Sequence, residues 1–278
     1  MWQLRSVFLV MLLALLPMAC ASKGDADKPA VEKPVEPLYL EAKAALDAGE
    51  YKQAAGLFDE VERQHPYSQW ATQAKLMSAY AHYSAMRYPE AILALDRFIE
   101  MHPGHSDVAY AYYLKALCFY EQISDIGRDQ DYTADALQSL DEVIRRFPDS
   151  AYAKDAALKR DLTRDHLAGK EMEIGRFYQK RKFYQAALGR YQRVVSDFQT
   201  TTHTPEALHR LVECYLALGL TDEAQRTASV LGYNYPGSEW YEASYDLVKR
   251  GKLPAIVQSQ DPKNAPTTKV GKLLDKVF

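Results

Sequence analysis

Charge of one sign is what this chain most plainly lacks. Its 34 Lys and Arg stand against 37 Asp and Glu, a formal net charge of −3. That balance excludes the broad basic field by which nucleic acid is held, and no nucleic-acid partner is expected. Cysteine is scarce as well. There are three, with no CxxC and no Cys/His ligand spacing, which argues against a zinc site or a disulfide scaffold. Long hydrophobic runs are missing: VFLVMLLALL at 7–16 has ten residues, about half of what a bilayer-crossing helix needs. The patterns GxSxG, HExxH, GxGxxG and the P-loop are all absent. Carboxylates are scattered at helix-surface spacing, and His102 and His105 in HPGH read as a solvated turn rather than metal ligands. No catalytic residue, cofactor or metal is expected. An enzyme on a helical scaffold would need a catalytic domain, and no stretch is left to build one.

What is present is a chain 47% apolar and 26% charged, ordinary for a globular protein. It is rich in Ala, Leu, Tyr, Glu and Arg and poor in β-branched runs, a mixture that leans helical. The N-terminus differs from the rest. One positive charge, a short apolar run and a small residue before Cys20 fit a secretory signal over residues 1–19. LPMAC (16–20) resembles the lipobox of bacterial lipoproteins, with Pro17 where that pattern usually has Leu. The resemblance implies a diacylglycerol on the Cys20 thiol and a second acylation on its amine, enough for stable anchoring. Ala21 in place of Asp implies sorting to the outer membrane. The alternative is an ordinary signal peptide cut near Ala19 or Ala21. Residues 20–36, rich in Pro and poor in large apolar side chains, read as a tether.

The folded part is periodic. Ala91, Leu95, Phe98 and Pro103 stand at 0, +4, +7 and +12. The register recurs as Ala54, Phe58, Val61, Pro66; as Ala136, Leu140, Val143, Pro148; and as Ala224, Ala228, Leu231, Pro236. Ala187, Tyr191 and Val194 repeat it with Gln199 in the proline place. Successive anchors are 37, 45, 51 and 37 residues apart. Positions 0, +4 and +7 share one helix face. The small Ala allows a neighbouring helix to come close, and Pro ends the helix. Ser68, Ser150 and Ser238 stand where the next helix needs an N-cap. This is the second helix of a tetratricopeptide repeat. First helices read at about 38–48, 69–86, 106–121, 150–182 and 204–219, with a last unpaired helix at about 238–249. The expected fold is an all-α solenoid of five helix pairs plus a C-terminal helix over residues 37–250. Residues 123–131 read as a polar surface insertion. The 51-residue step exceeds 37 by fourteen, close to four helical turns, so 150–182 is expected as one long helix. Cys118 and Cys214 are expected as buried free thiols, with a disulfide between them as the alternative.

Such a solenoid binds other chains along its inner surface. Tyr80, Tyr83, Tyr110, Tyr113 and Phe119, on the second and third first helices, are candidates for lining that groove. Residues 159–193 hold ten Lys and Arg against four acids, an excess that suits an acidic partner surface; phospholipid headgroups are the weaker alternative. Residues 251–278 read as a flexible tail, in which Val270, Leu273, Leu274 and Val277 share one stripe of a possible short amphipathic helix.

ALDRFIEMHPGHSDVAYAYYLKAL (94–117), RDQDYTADAL (128–137), FPDSAYAKDA (147–156) and LAGKEMEIGRFYQKRKFYQAALGRY (167–191), with the lipidated N-terminus and five repeats, resemble the BamD family of outer-membrane protein assembly lipoproteins. The resemblance covers about residues 37–250. It implies a non-catalytic subunit of the β-barrel assembly machinery, lipid-anchored on the periplasmic face of the outer membrane. It implies binding to the insertase BamA through the C-terminal repeats, company with the other assembly-machinery lipoproteins, and capture of unfolded β-barrel precursors in the N-terminal groove. By position, Arg190 matches the family's BamA contact; Arg176, Arg193 and Lys180 are placed on the same side. The runner-up is another tetratricopeptide lipoprotein scaffold, a pilus-assembly pilotin or a Tol–Pal cell-wall coordinator, against which the 123–131 insertion and the long helix argue. Cys20 gives the first test. Cys20→Ser is expected to abolish metabolic labelling by a palmitate analogue and release the protein from membranes; undiminished labelling would dismiss Cys20 as the acylated residue.

Overall fold

The computed structural model describes residues 32–250. The expected signal peptide, Cys20, most of the tether and the 251–278 tail lie outside the described residues.

Among the described residues the chain is eleven helices and no strand. Five pairs follow one another: α1 (Val35–Asp47) with α2 (Tyr51–Gln64), α3 (Gln69–Ser84) with α4 (Tyr88–Met101), α5 (Val108–Tyr120) with α6 (Asp131–Arg146), α7 (Ala151–Lys180) with α8 (Tyr184–Asp197), and α9 (Thr204–Ala217) with α10 (Thr221–Asn234). Helix α11 (Glu239–Arg250) closes the series on α9 and α10. It is a tetratricopeptide solenoid. The long helix is continuous over its 30 residues, and residues 121–130 form the surface insertion before α6. One boundary needs correction: helix α1 starts at Val35, just after Pro34, so the last two residues assigned to the tether are helical. Pro has no N–H to lose at a helix start, which is why the helix can begin there.

The repeated stripe is the core. Ala54, Ala91, Ala136, Ala187 and Ala224 are all fully buried. So are Phe58, Val61, Leu95, Phe98, Leu140, Val143, Tyr191, Val194 and Leu231 at the +4 and +7 positions. Each helix packs on its chain neighbours, and first helices also touch one another, α1 on α3, α3 on α5 and α5 on α7. The stack therefore closes up on the first-helix side and curves toward it. Residues before the prolines repeat one backbone shape: φ/ψ is −131°/55° at His65, −132°/52° at His102, −131°/53° at Phe147 and −135°/57° at Tyr235. Clash with the proline ring keeps such residues out of the helical region. Phe198, before Gln199, reaches nearly the same place at −126°/37°. Tertiary packing thus supplies there what proline supplies elsewhere. The serine caps form as well. Ser68 accepts from the Ala71 N–H and Ser150 from the Ala153 N–H, both at 3.1 Å, and Ser238 accepts from the Trp240 N–H at 3.2 Å.

The turn inside each pair has its own signature. Gly49, Met86, Lys182 and Gly219 lie five residues before their anchor alanines, and all four have positive φ, at 78°, 58°, 64° and 77°. Only the third repeat, where the insertion intervenes, lacks it. A side chain strains this conformation and glycine does not. A Cβ on Gly219 would meet no other atom within 4 Å, so substitution there reports the backbone cost alone. Gly219→Ala is expected to lower stability by about 1 kcal/mol. Met86→Gly, at an exposed position, should raise it by about 0.5 kcal/mol, the relief of strain exceeding the added chain entropy. Denaturant midpoints measure both; equal values for all three proteins would refute the strain argument.

Candidate functional site

Three successive first helices bring tyrosines together on the inner surface. Tyr80 and Tyr83 come from α3, Tyr110 and Tyr113 from α5, and Tyr152 from the first turn of α7. All five are half-buried. Tyr152 is the keystone: its ring lies 5.6 Å from that of Tyr110 and 5.4 Å from that of Tyr113, the latter pair stacked. The Tyr113 hydroxyl donates to Asp155, one turn further along α7. Burial pushes the Tyr83 phenol up to about 12 and raises Tyr110 and Tyr113 further, so all three are neutral donors at physiological pH. Buried Cys118 lies beneath this group, in the cluster that includes Tyr80, Tyr83 and Tyr110. Cys118 and Cys214 are both free, and burial pushes each thiol up to about 12. Phe119 is also half-buried, but no ring contact joins it to the tyrosines. The row is an aromatic surface, suited to an extended peptide with aromatic side chains. A separate cavity of about 790 Å³ opens between α2 and α4. Its lining, with Lys52, Asp59, Arg63, Arg87, Glu90 and Arg97, is charged and does not suit such a ligand.

The cationic residues sort into two groups. Arg190 and Arg193 on α8 both reach one carboxylate, Glu171 on α7, at 3.1 Å, and Arg193 also pairs with Asp197 at 3.6 Å. Their side chains stay 36% and 57% exposed, so both remain able to meet a partner. Lys180 ends α7. Arg176 is different. It holds both oxygens of Glu206 on α9, at 2.9 and 3.0 Å, and only 20% of its side chain is exposed. It is a strut between repeats four and five.

That strut opens onto a buried polar network in the last two repeats. Glu206 also takes Arg210 at 3.3 Å, Arg210 donates to Glu213 at 3.0 Å, and Gln179 of α7 donates to Glu213 at 2.8 Å. The Tyr191 hydroxyl donates to Gln179 at 2.7 Å. His209 approaches Glu213 at 3.5 Å, and its Nδ1 meets the Ser244 hydroxyl of α11 at 2.8 Å. Burial alone would raise the Glu213 carboxyl. The Arg210 guanidinium, His209 and the Gln179 amide outweigh it and hold Glu213 well below the usual carboxylate range. Tyr191 itself lies against Gly175, where any Cβ would collide with its ring.

A family model described as outer membrane lipoprotein, YfiO, matches residues 31–231. The chain belongs to the YfiO family of outer membrane lipoproteins. It is 50% identical over 249 residues to the outer membrane protein assembly factor BamD of Caulobacter vibrioides, covering 88% of this chain and 81% of that protein. The protein of the same name in Rickettsia prowazekii is 48% identical over 240 residues, covering 86% and 95%. Among solved structures, a thermophilic tetratricopeptide protein of Thermus thermophilus is 18% identical with a TM-score of 0.36, over 78% of this chain and all of that one.

In this YfiO-family chain, sequence reasoning placed four of the five tyrosines but not Tyr152, although the Ser-x-aromatic spacing of FPDSAY marked it. It also missed the network, because Arg210 and Glu213 carry the same charges as any solvated helix face. No helix among the described residues is long and apolar enough to cross a membrane. The network generates a pH test. Glu213 keeps its charge in the folded state below the pH at which the unfolded chain takes up a proton. Its contribution is therefore complete above about pH 4.3 and lost as pH falls further. Glu213→Gln is expected to cost about 3 kcal/mol at pH 7, since it leaves Arg210 half-paired, and to flatten the acid limb of the stability curve. Thermal melts from pH 7 down to 3 measure this; an unchanged acid slope would contradict the assignment.

Proposed function

We propose that the protein is a non-catalytic subunit of the outer-membrane β-barrel assembly machinery, anchored by Cys20 to the periplasmic face of the outer membrane. It binds unfolded barrel precursors through the tyrosine row and the insertase BamA through the α7–α8 face. One observation carries the precursor site: five half-buried tyrosines from three repeats converge on the inner surface. Aromatic surfaces of this kind give large contact area at low entropy cost, which suits an extended chain whose alternate residues are apolar. The assembly factors named among its relatives, at up to half identity, support the wider role.

On the insertase side, Arg190 and Arg193 are the contacts, held in place by Glu171; Lys180, at the end of α7, is assigned to the same side. Arg176, given to Glu206, positions α7 on α9 and does not touch the partner. Arg190→Glu is expected to reduce co-purification of the insertase at least five-fold with far-UV circular dichroism unchanged. Tyr80→Ala with Tyr83→Ala should weaken binding of an aromatic-terminated barrel peptide at least ten-fold while leaving insertase capture intact. Normal peptide binding by that double variant would remove the tyrosines from the site, and normal capture by the Arg190 variant would remove Arg190 from the interface.

A further inference from the structure

The fourteen residues added to α7 leave the first half of that helix without a second helix over it. In repeat two, Leu76 and Tyr80 stand eight and twelve residues after the capping Ser68 and pack in one cluster with Ala91, Leu95 and Phe98 of α4. Eight and twelve residues after Ser150 stand Leu158 and Leu162, the positions on α7 that a second helix in the regular place would cover. They are 63% and 54% exposed. Helix α8 lies further along. Ala168 and Met172 pack with Ala187 and Tyr191, and Met172, fourteen residues beyond Leu158, takes the part of Leu76. The α6 side is open as well. Ala134, Gln138, Asp141 and Arg145 stand at −2, +2, +5 and +9 from their anchor, as Lys52, Gly56, Asp59 and Arg63 do on α2. The α2 set looks across at α4. The α6 set, with Leu167, lines a cavity of about 540 Å³ to which α8 contributes nothing among the described residues.

The chain carries a second-helix pattern that has no first helix to match it. Val270, Leu274 and Val277 repeat the 0, +4, +7 register of every second helix, 46 residues after Ala224 and so within the 37 to 51 that separate the other anchors. Helix α11, which precedes it, offers no apolar face at the matching positions. Eight and twelve residues after Ser238 it carries Asp246 and Arg250, which pair with each other at 3.7 Å. We propose that residues 269–278 dock as a short helix on the first half of α7, over Leu158 and Leu162, in the place that α8 takes further along. One face lacks a second helix, and one second-helix stripe lacks a face. The 18 residues from 251 to 268 span up to about 60 Å, more than the roughly 45 Å length of the 30-residue α7. A connection of that length holds the segment at roughly millimolar effective concentration, an advantage that no separate partner has. Ten residues are too few for a stable helix in isolation, so helix and contact form together. The docked segment completes repeat four, and α7 is then covered along its whole length.

The test uses the full-length protein in its own membranes. A photoreactive phenylalanine analogue replaces Leu162 or, as a control on α4, the exposed Leu93. Adducts within one chain between position 162 and residues 269–278, several-fold above those from position 93, support the contact. Adducts from 162 to a second copy or to another protein, or tail adducts no more frequent than at 93, overturn it. A second arm reads solvent access. In the variant Leu158→Cys, position 158 is labelled with a water-soluble maleimide; Cys118 and Cys214 are buried and stay out of the reaction. Adding Leu273→Asp and Leu274→Asp should speed labelling at 158 about ten-fold, because the open fraction of molecules sets the rate. An unchanged rate, with far-UV circular dichroism showing the solenoid folded, would refute the docking.

Discussion

The whole solenoid depends on the space an alanine leaves. Ala54, Ala91, Ala136, Ala187 and Ala224 are buried completely, and at each one the second helix of a pair comes close enough for its +4 and +7 side chains to fill the seam. A larger residue at the anchor would hold the helices apart and forfeit those contacts together, because interiors are packed to near-crystalline density. No pair can hide its apolar stripe alone, so each must stack on the next. Repeat four shows how narrow the tolerance is. Tyr191 replaces the smaller +4 residue and remains fully buried, and the facing helix gives up its Cβ at Gly175 to make room. The hydroxyl that comes with the larger ring needs a partner in the core, and Gln179, one turn beyond Gly175, provides it.

The three recurring hexapeptides, HPYSQW, FPDSAY and YPGSEW, are joints built from three parts. Proline sets the extended backbone that ends the second helix. Serine caps the first helix of the next unit. The aromatic two residues later lies across the first helix of the unit before. Trp70 packs on Tyr39 at 4.8 Å, Tyr152 on Tyr110 and Tyr113, and Trp240 on His209 at 5.3 Å, with Arg210 over its ring at 5.6 Å. The aromatic therefore fixes the angle at which one repeat follows another. In the middle joint the same residue also completes the tyrosine row, so a packing device and the proposed binding surface share one side chain.

The helices, their order, the long α7 and the buried stripe were legible in the sequence because they follow from periodicity, and periodicity survives without coordinates. The start of α1 was not. Pro34 and the polar residues around it read as tether, whereas Val35, Leu38 and Tyr39 pack under α2 and α3. The roles of the cations were not legible either. Arg176, Arg190 and Arg193 are alike in composition, and only the facing element separates them. Glu206 buries the first, while Glu171 leaves the other two half in solvent. Pairings across 19 to 30 residues of chain leave no local trace.

The long helix then connects the two halves of the proposed function. Tyr152 sits in its first turn and Glu171 in its second half, 19 residues apart, which is about 28 Å along a rod that rises 1.5 Å per residue. Gln179 and Arg176, near its end, lock it to α9 through buried hydrogen bonds. The helix is continuous over its 30 residues, with no break between the two ends. The spacing and orientation between the tyrosine row and the arginine face are therefore properties of one element, not of a chain of loops. Had the fourteen extra residues formed a loop instead, the groove and the partner face could turn independently, and a chain bound in one would have no defined direction toward the other. Adding whole turns to a single helix keeps its apolar face in register with both neighbours. It also carries the arginine face away from the tyrosine row at a fixed distance and angle, the geometry that the proposed passage of an extended chain from groove to partner needs.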